Sequence, residues 1–195
     1  MNMICTNKGK TGQLLELSLG MGLSSNNLDF DDGELKTNKC DAKGNPKKTV
    51  FIMHISKVID ELIQERPFEQ TRLYEKISNI LYVPVCKNGI PDGWMFPPSI
   101  HVNLSQCKFL LLRDILSNDY YSVCKQLRHH IENDGSIHTS NGEYIQVRSK
   151  DARNAGGSYH PIYSQVHGRY VLNKNHAFYF KKKFIDYIRQ IDRQL

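Results

Sequence analysis

The sequence predicts an α/β protein with one mixed central sheet flanked by helices, and three observations carry that prediction. Apolar runs of strand length recur at Val50 to Ile55 and at Ile77 to Val85, and Glu143 to Arg148 alternates with the two-residue period of a strand. Helical stretches interleave with them, from about Leu104 to Glu132 and again in an amphipathic segment ending at Leu195. The 195 residues, 39% hydrophobic and 24% charged, suit a single domain spanning 1–195 rather than two.

Taken in order, GQLLELSLGMGL from Gly12 predicts a short helix on which Leu14, Leu15 and Leu19 share a side, with Glu16 in the middle of the apolar stretch. Turn formers at 24–27 and 31–33 bracket Leu28 to Phe30, and a strand resumes over Glu34 to Thr37. Lys43 to Lys48 is a turn, so segments 34–37 and 50–55 are expected to pair as a hairpin. Lys57 to Glu65 predicts a helix ended near Pro67, and Pro84 falls late in the strand at 77–85. Residues 87–99 form a proline-rich loop expected to order around Trp94 against the core. Asn133, Asp134 and Gly135 stop the long helix, 150–176 reads as irregular, and Phe178 to Phe180 is a short strand before the last helix.

Charge and cysteine usage narrow the function classes. After residue 139 there are ten Lys or Arg against four acids, whereas residues 1–139 balance at sixteen of each. The whole excess of +6 therefore lies in the last third, as a surface facing a polyanion requires. No run of 18 apolar residues predicts a membrane span, and the N-terminal residues lack an apolar signal core. Five cysteines without a CxxC pair read as free thiols in a cytoplasmic, nucleoid-associated or nuclear compartment. GKT at 9–11 lacks the earlier glycine of a phosphate-binding loop, with Ile4 in its position, which excludes nucleotide binding.

The chemistry concentrates in LDFDDGELK, Leu28 to Lys36. Alternation puts Glu34 and Lys36 on one strand face, and the preceding turn can bring Asp29 alongside. Asp29, Glu34 and the Leu35 carbonyl then form an oxygen set of the kind Mg²⁺ takes. Such an ion lowers the pKa of a bound water and stabilises the charge that builds on a phosphate, while Lys36 can orient or deprotonate that water. Asp31 or Asp32 is the alternative first ligand.

Four blocks in order, GKTGQLLELSLG, LDFDDGELKT, NGEYIQVRSK and FYFKKKF, resemble those of MutH and the related Sau-type restriction endonucleases over about residues 8 to 184. The resemblance implies a restriction-endonuclease-like PD-(D/E)xK fold, with a catalytic part over about 8–100 and a DNA-recognition part over about 101–195. It implies Mg²⁺-dependent hydrolysis of duplex DNA at a short GATC-like site, with Mn²⁺ able to substitute and Ca²⁺ supporting binding without cleavage. Glu16, Asp29, Glu34 and Lys36 match the family's catalytic positions, and Lys76 is similar to a lysine near the scissile phosphate. Arg148 and Lys150 match its major-groove segment, and Tyr179 matches a tyrosine near the adenine whose methylation is sensed. Lys181, Lys182 and Lys183 are expected at phosphates. The interval from Asp29 to Glu34 looks shorter than in MutH, and the segment before GQLLE is shorter too. Methyl-directed nicking with a MutL-like accessory protein and type II restriction cleavage both remain open, as does a hydrolysis-deficient DNA-binding module of the same fold.

Overall fold

A computed structural model of the chain describes residues 10–18, 20, 28–87, 93–133, 137 and 142–193. Leu19, the turn at 24–27, the start of GKT at Gly9, Asp134 and Gly135 lie outside the described residues. Helix α1 (Lys10–Ser18) precedes strand β1 (Glu34–Cys40), and β2 (Val50–His54) leads through a 3-10 turn into α2 (Ile59–Ile63). Helix α3 (Arg72–Ile77), strands β3 (Asn79–Cys86) and β4 (Ile100–Asn103), and the long α4 (Leu110–Glu132) follow. The C-terminal third holds β5 (Ile145–Ser149), β6 (Ile162–Ser164), β7 (Arg169–Leu172), β8 (His176–Phe180) and α5 (Lys182–Arg193).

The α/β class is as predicted, but the strands form separate sheets. β1 runs parallel to β3, and β4 joins β3 antiparallel, making a small mixed sheet. A second, antiparallel sheet has the order β2-β8-β5, and β6 with β7 forms a hairpin inside the stretch read as irregular. The expected hairpin of 34–37 with 50–55 is therefore corrected. Its tip forms, with Asp41 accepting from the Lys43 and Asn45 amides and the Lys47 amide donating to the Lys39 carbonyl at 2.8 Å. Beyond Thr49 the chain leaves β1, because burying Val50, Ile52 and Met53 takes β2 into the core beside β8. Ile77 likewise closes α3 instead of opening a strand, since the Thr71 hydroxyl accepts from the Tyr74 amide at 3.0 Å and starts a helix there.

One core joins the sheets. Leu112, Leu116, Tyr120, Val123, Leu127 and Ile131 follow one another at three- and four-residue steps along α4, all buried. They belong to the same cluster as Ile52, Ile145, Val147, Phe178, Phe180 and Phe184, and the Phe180 and Phe184 rings stack at 3.9 Å. Because β2 comes from the first half of the chain and β5 and β8 from the second, the two expected parts share a sheet.

Asp119 of α4 fixes the start of β5. Its carboxylate is 4% exposed and accepts from the amides of Glu143, Tyr144 and Ile145 at 2.5, 2.6 and 2.7 Å. Gly142 is needed there, because a Cβ would stand 2.7 Å from that carboxylate. Asp119→Ala and Gly142→Ala are each expected to cost about 2–4 kcal/mol, through orphaned amides in one case and a steric clash in the other. Urea denaturation checks this, and a wild-type midpoint for both variants would remove the anchor.

Candidate active site

The turn before β1 is built to deliver a carboxylate to that strand. The Phe30 amide donates to the Gly33 carbonyl at 2.9 Å, and the Asn79 side-chain amide donates to the Asp32 carbonyl at 2.9 Å. Gly33 permits this close approach, since a Cβ would lie 2.9 Å from the Asn79 carbonyl oxygen. Asp29 is thereby turned onto β1, where its Oδ2 accepts from the Leu35 amide at 2.9 Å. Asp31 and Asp32 are exposed, so of the three aspartates Asp29 is the one directed at the strand. In an extended strand the N–H and C=O of one residue point to the same edge, which puts the Leu35 carbonyl on the edge that Asp29 occupies.

Glu34 and Lys36 share a face, as alternation requires, and both are nearly closed to solvent at 4% and 9% exposed. Glu34 Oε1 pairs with the Lys36 ammonium, and its Oε2 pairs with Lys76 Nζ at 2.8 Å. Lys76 reaches it from the last turn of α3. Glu16 approaches from α1 and feels the same cluster. Burial first, then the charges of Asp29 and Glu34, push its carboxyl above the ordinary 4.5, with Lys36 pulling the other way. Burial pushes the Lys36 ammonium down against the pull of Glu34, and Lys76 adds to the depression. All five residues expected in the catalytic set thus meet electrostatically, from α1, the turn, β1 and α3.

Three carboxylates and a backbone carbonyl are hard oxygen donors, which suits Mg²⁺ better than a thiolate- or imidazole-seeking metal. The donors are not preassembled as a cage. Both Glu34 oxygens are held by ammonium groups and Asp29 by an amide, and among the described residues no group of three His, Cys, Asp or Glu closes into a ready site. An ion bound there would have to take over the charge that Lys36 and Lys76 neutralise. A hollow of about 180 Å³ opens beside Glu34, with Asn79 and His101 on its wall. His101 Nε2 lies 2.7 Å from Asn79 Oδ1. Sequence reasoning missed His101, which no motif marks; only the pairing of Leu81 with His101 across β3 and β4 brings it there.

The second sheet carries the residues expected at DNA. Phe178 and Phe180 are buried, and Tyr179 takes the opposite face, half-buried between Phe51 and Gln146. Burial raises the Tyr179 hydroxyl pKa while Arg148 lowers it. Arg148 is exposed, lies 5.5 Å from the Tyr179 ring centre and donates to Thr49 Oγ1 at 3.2 Å. Lys150 lies 4.2 Å over the Phe51 ring. The result is a shallow aromatic surface with two cations held over rings. Lys182 is exposed at the start of α5, and Lys183 pairs with Glu143. Lys181 is half-buried and donates to the Gly142 carbonyl, which ties the end of β8 to the approach to β5.

No protein-family model matches this chain, and no curated protein matches it. Among the described residues, no helix is long and apolar enough to cross a membrane.

The raised pKa of Glu16 has a measurable sign. Between 4.5 and its folded value the native state holds the extra proton, so metal-free stability falls as pH rises through that window. Glu16→Gln is expected to flatten that part of the thermal-stability profile and to raise the melting temperature above it. An unchanged profile would place Glu16 outside the cluster's field.

Proposed function

We propose that this chain is a Mg²⁺-dependent endodeoxyribonuclease of the PD-(D/E)xK type. It hydrolyses phosphodiester bonds in duplex DNA at a short GATC-like site, with sensitivity to adenine methylation. The observation that carries this reading is the convergence of Glu16, Asp29, Glu34, Lys36 and Lys76 on one partly buried cluster, although they come from four separate segments. An acidic turn followed by a solvated strand would leave Glu34 and Lys36 in water, and both are buried.

The division of labour follows from the geometry. Asp29, Glu34 and the Leu35 carbonyl would hold Mg²⁺, with Mn²⁺ as a substitute, and Glu16 adds a further carboxylate beside them. When bound, the ion acidifies a water and neutralises phosphate charge. Lys36, its ammonium pushed down by burial, is suited to take a proton from the attacking water. Lys76 is suited to balance charge on the phosphate once Glu34 turns to the ion. Arg148 has the planar donor fork that reads guanine O6 and N7, and Lys150 and Tyr179 flank it. Ca²⁺ should support DNA binding without cleavage. The reading covers methyl-directed nicking assisted by a MutL-like partner as well as restriction cleavage. Sequencing the ends made from mixed methylated and unmethylated DNA separates the two by strand choice. The rival, a DNA-binding module without hydrolysis, draws on the two ammonium groups that occupy Glu34.

Glu34→Ala is expected to abolish Mg²⁺-dependent cleavage while duplex binding in Ca²⁺ persists; cleavage at the wild-type rate would remove the proposed centre. Arg148→Ala should cost about 1–3 kcal/mol of discrimination for each bidentate base pairing it removes. A competition assay in which cognate and scrambled duplexes are still told apart as well as before would refute its role in reading bases.

A further inference from the structure

Between the Glu34 cluster and the Arg148 face lies a pocket that neither site uses. It encloses about 190 Å³, and Thr11, Thr37, Lys39, Lys48, Thr49 and Lys87 supply its polar wall. Among the described residues that line it there is no carboxylate, so its three lysines set a positive potential inside. Three hydroxyls beside them can donate to a tetrahedral oxyanion. The volume is that of roughly six waters, room for one phosphodiester group and too little for a base pair.

The pocket is held in shape by its own hydrogen bonds. The Asn38 side-chain amide donates to the Lys48 carbonyl at 2.8 Å, and the Lys47 amide donates to the Lys39 carbonyl at 2.8 Å. These two bonds fix the main chain of Lys39 and Lys48 across the tip of the turn. Lys87 donates to the Thr11 hydroxyl and lies 4.2 Å over the Trp94 ring, so its ammonium is oriented in advance.

Its position is as informative as its charge. A Cβ on Gly12 would stand 3.7 Å from Glu16 Oε1 and 3.8 Å from Thr37 Oγ1, so Thr37 lies close to Glu16, and Thr49 is the residue to which Arg148 donates. The pocket therefore adjoins the proposed cutting centre at one end and the proposed reading face at the other. Lys36 and Lys39 are three residues apart, about 10 Å along β1, and project from its two faces. Phosphates of one DNA strand advance about 3.4 Å along the helix axis per nucleotide and lie farther apart than that through space, so the span covers no more than about three nucleotides.

We infer that this pocket seats a backbone phosphate of the DNA strand being cut, within about three nucleotides of the scissile bond. The inference rests on the nuclease reading above. It assigns Lys39, Lys48 and Lys87 to strand positioning without a part in bond cleavage or base choice, since a phosphate contact carries no sequence information.

Duplex binding in Ca²⁺, measured against salt concentration, tests it with three proteins: wild type, Lys39→Gln with Lys48→Gln, and Lys47→Gln. Lys47 is an equally exposed neighbour that does not line the pocket. The double variant is expected to bind cognate and scrambled duplexes more weakly by the same factor. The slope of log affinity against log salt should become shallower by about one for each phosphate that the variant no longer neutralises. Lys47→Gln should match wild type. In wild type, one methylphosphonate within three nucleotides of the cut should reproduce the loss, and in the double variant it should add nothing. A wild-type slope in the double variant, or an equal loss in Lys47→Gln, overturns the pocket. If wild type binds duplex but never cuts it with Mg²⁺, the nuclease reading falls while the salt slopes still judge the pocket. Wild type that binds no duplex overturns both.

Discussion

Glu34 is a carboxylate almost wholly out of water, and a buried charge of that kind survives only when it is paired. Each of its oxygens has its own ammonium partner, one from the next same-face position on β1 and one from α3. Two lysines against one glutamate would leave excess positive charge, and Asp29 offsets it, while Glu16 adds a further carboxylate that burial and its like-charged neighbours push towards the protonated form. This requirement gathers four segments around the first residues of β1. Removing one partner leaves the others uncompensated in a poor solvent for ions, which is why the cluster behaves as a unit. Burial raises the Glu16 carboxyl, with the charges of Asp29 and Glu34 adding to it, and burial depresses the Lys36 ammonium against the pull of Glu34.

The legibility of the site in the sequence follows how local each relation is. Glu34 and Lys36 could be put on one face because strand alternation needs only two residues of spacing. Glu16 stood out because a charge inside an apolar helical stretch calls for a partner. Tyr179 was marked by the resemblance, and the structure puts Phe178 and Phe180 on the core face and Tyr179 on the other. Pairings between distant segments were not legible. β1 and β2 are close in the chain and joined by a good turn, yet β1 takes β3 and β2 takes β8, since only the finished core decides where Val50, Ile52 and Met53 are buried. His101 escaped notice for the same reason, because its nearness to Asn79 and Glu34 depends on the β3–β4 register. The hydrogen bond of Lys181 to the Gly142 carbonyl was not legible, because a lysine run looks the same in sequence whether its first member faces solvent or a backbone carbonyl.

The two sheets divide the surface in a way that fits one bound strand. The mixed sheet carries the acidic cluster with its lysines, and the antiparallel sheet carries cations poised over Tyr179 and Phe51. The turn at 41–49 crosses from one to the other, and its Lys48 lines the space between them together with Lys39 and Lys87. Asp119, by holding the start of β5, sets the register of the strand that presents Arg148. The excess charge of the last third is thus only part of the basic surface, which also draws on Lys39, Lys48 and Lys87 from the first half of the chain.

The most direct test of the central claim is a crystal soaked in Mn²⁺ and measured at the manganese absorption edge. The expected result is an anomalous peak against Asp29, Glu34 and the Leu35 carbonyl, with at least one of Lys36 and Lys76 displaced from Glu34. Glu34 still bound to both ammonium groups, with Asp29 still on the Leu35 amide and no peak between them, would contradict it.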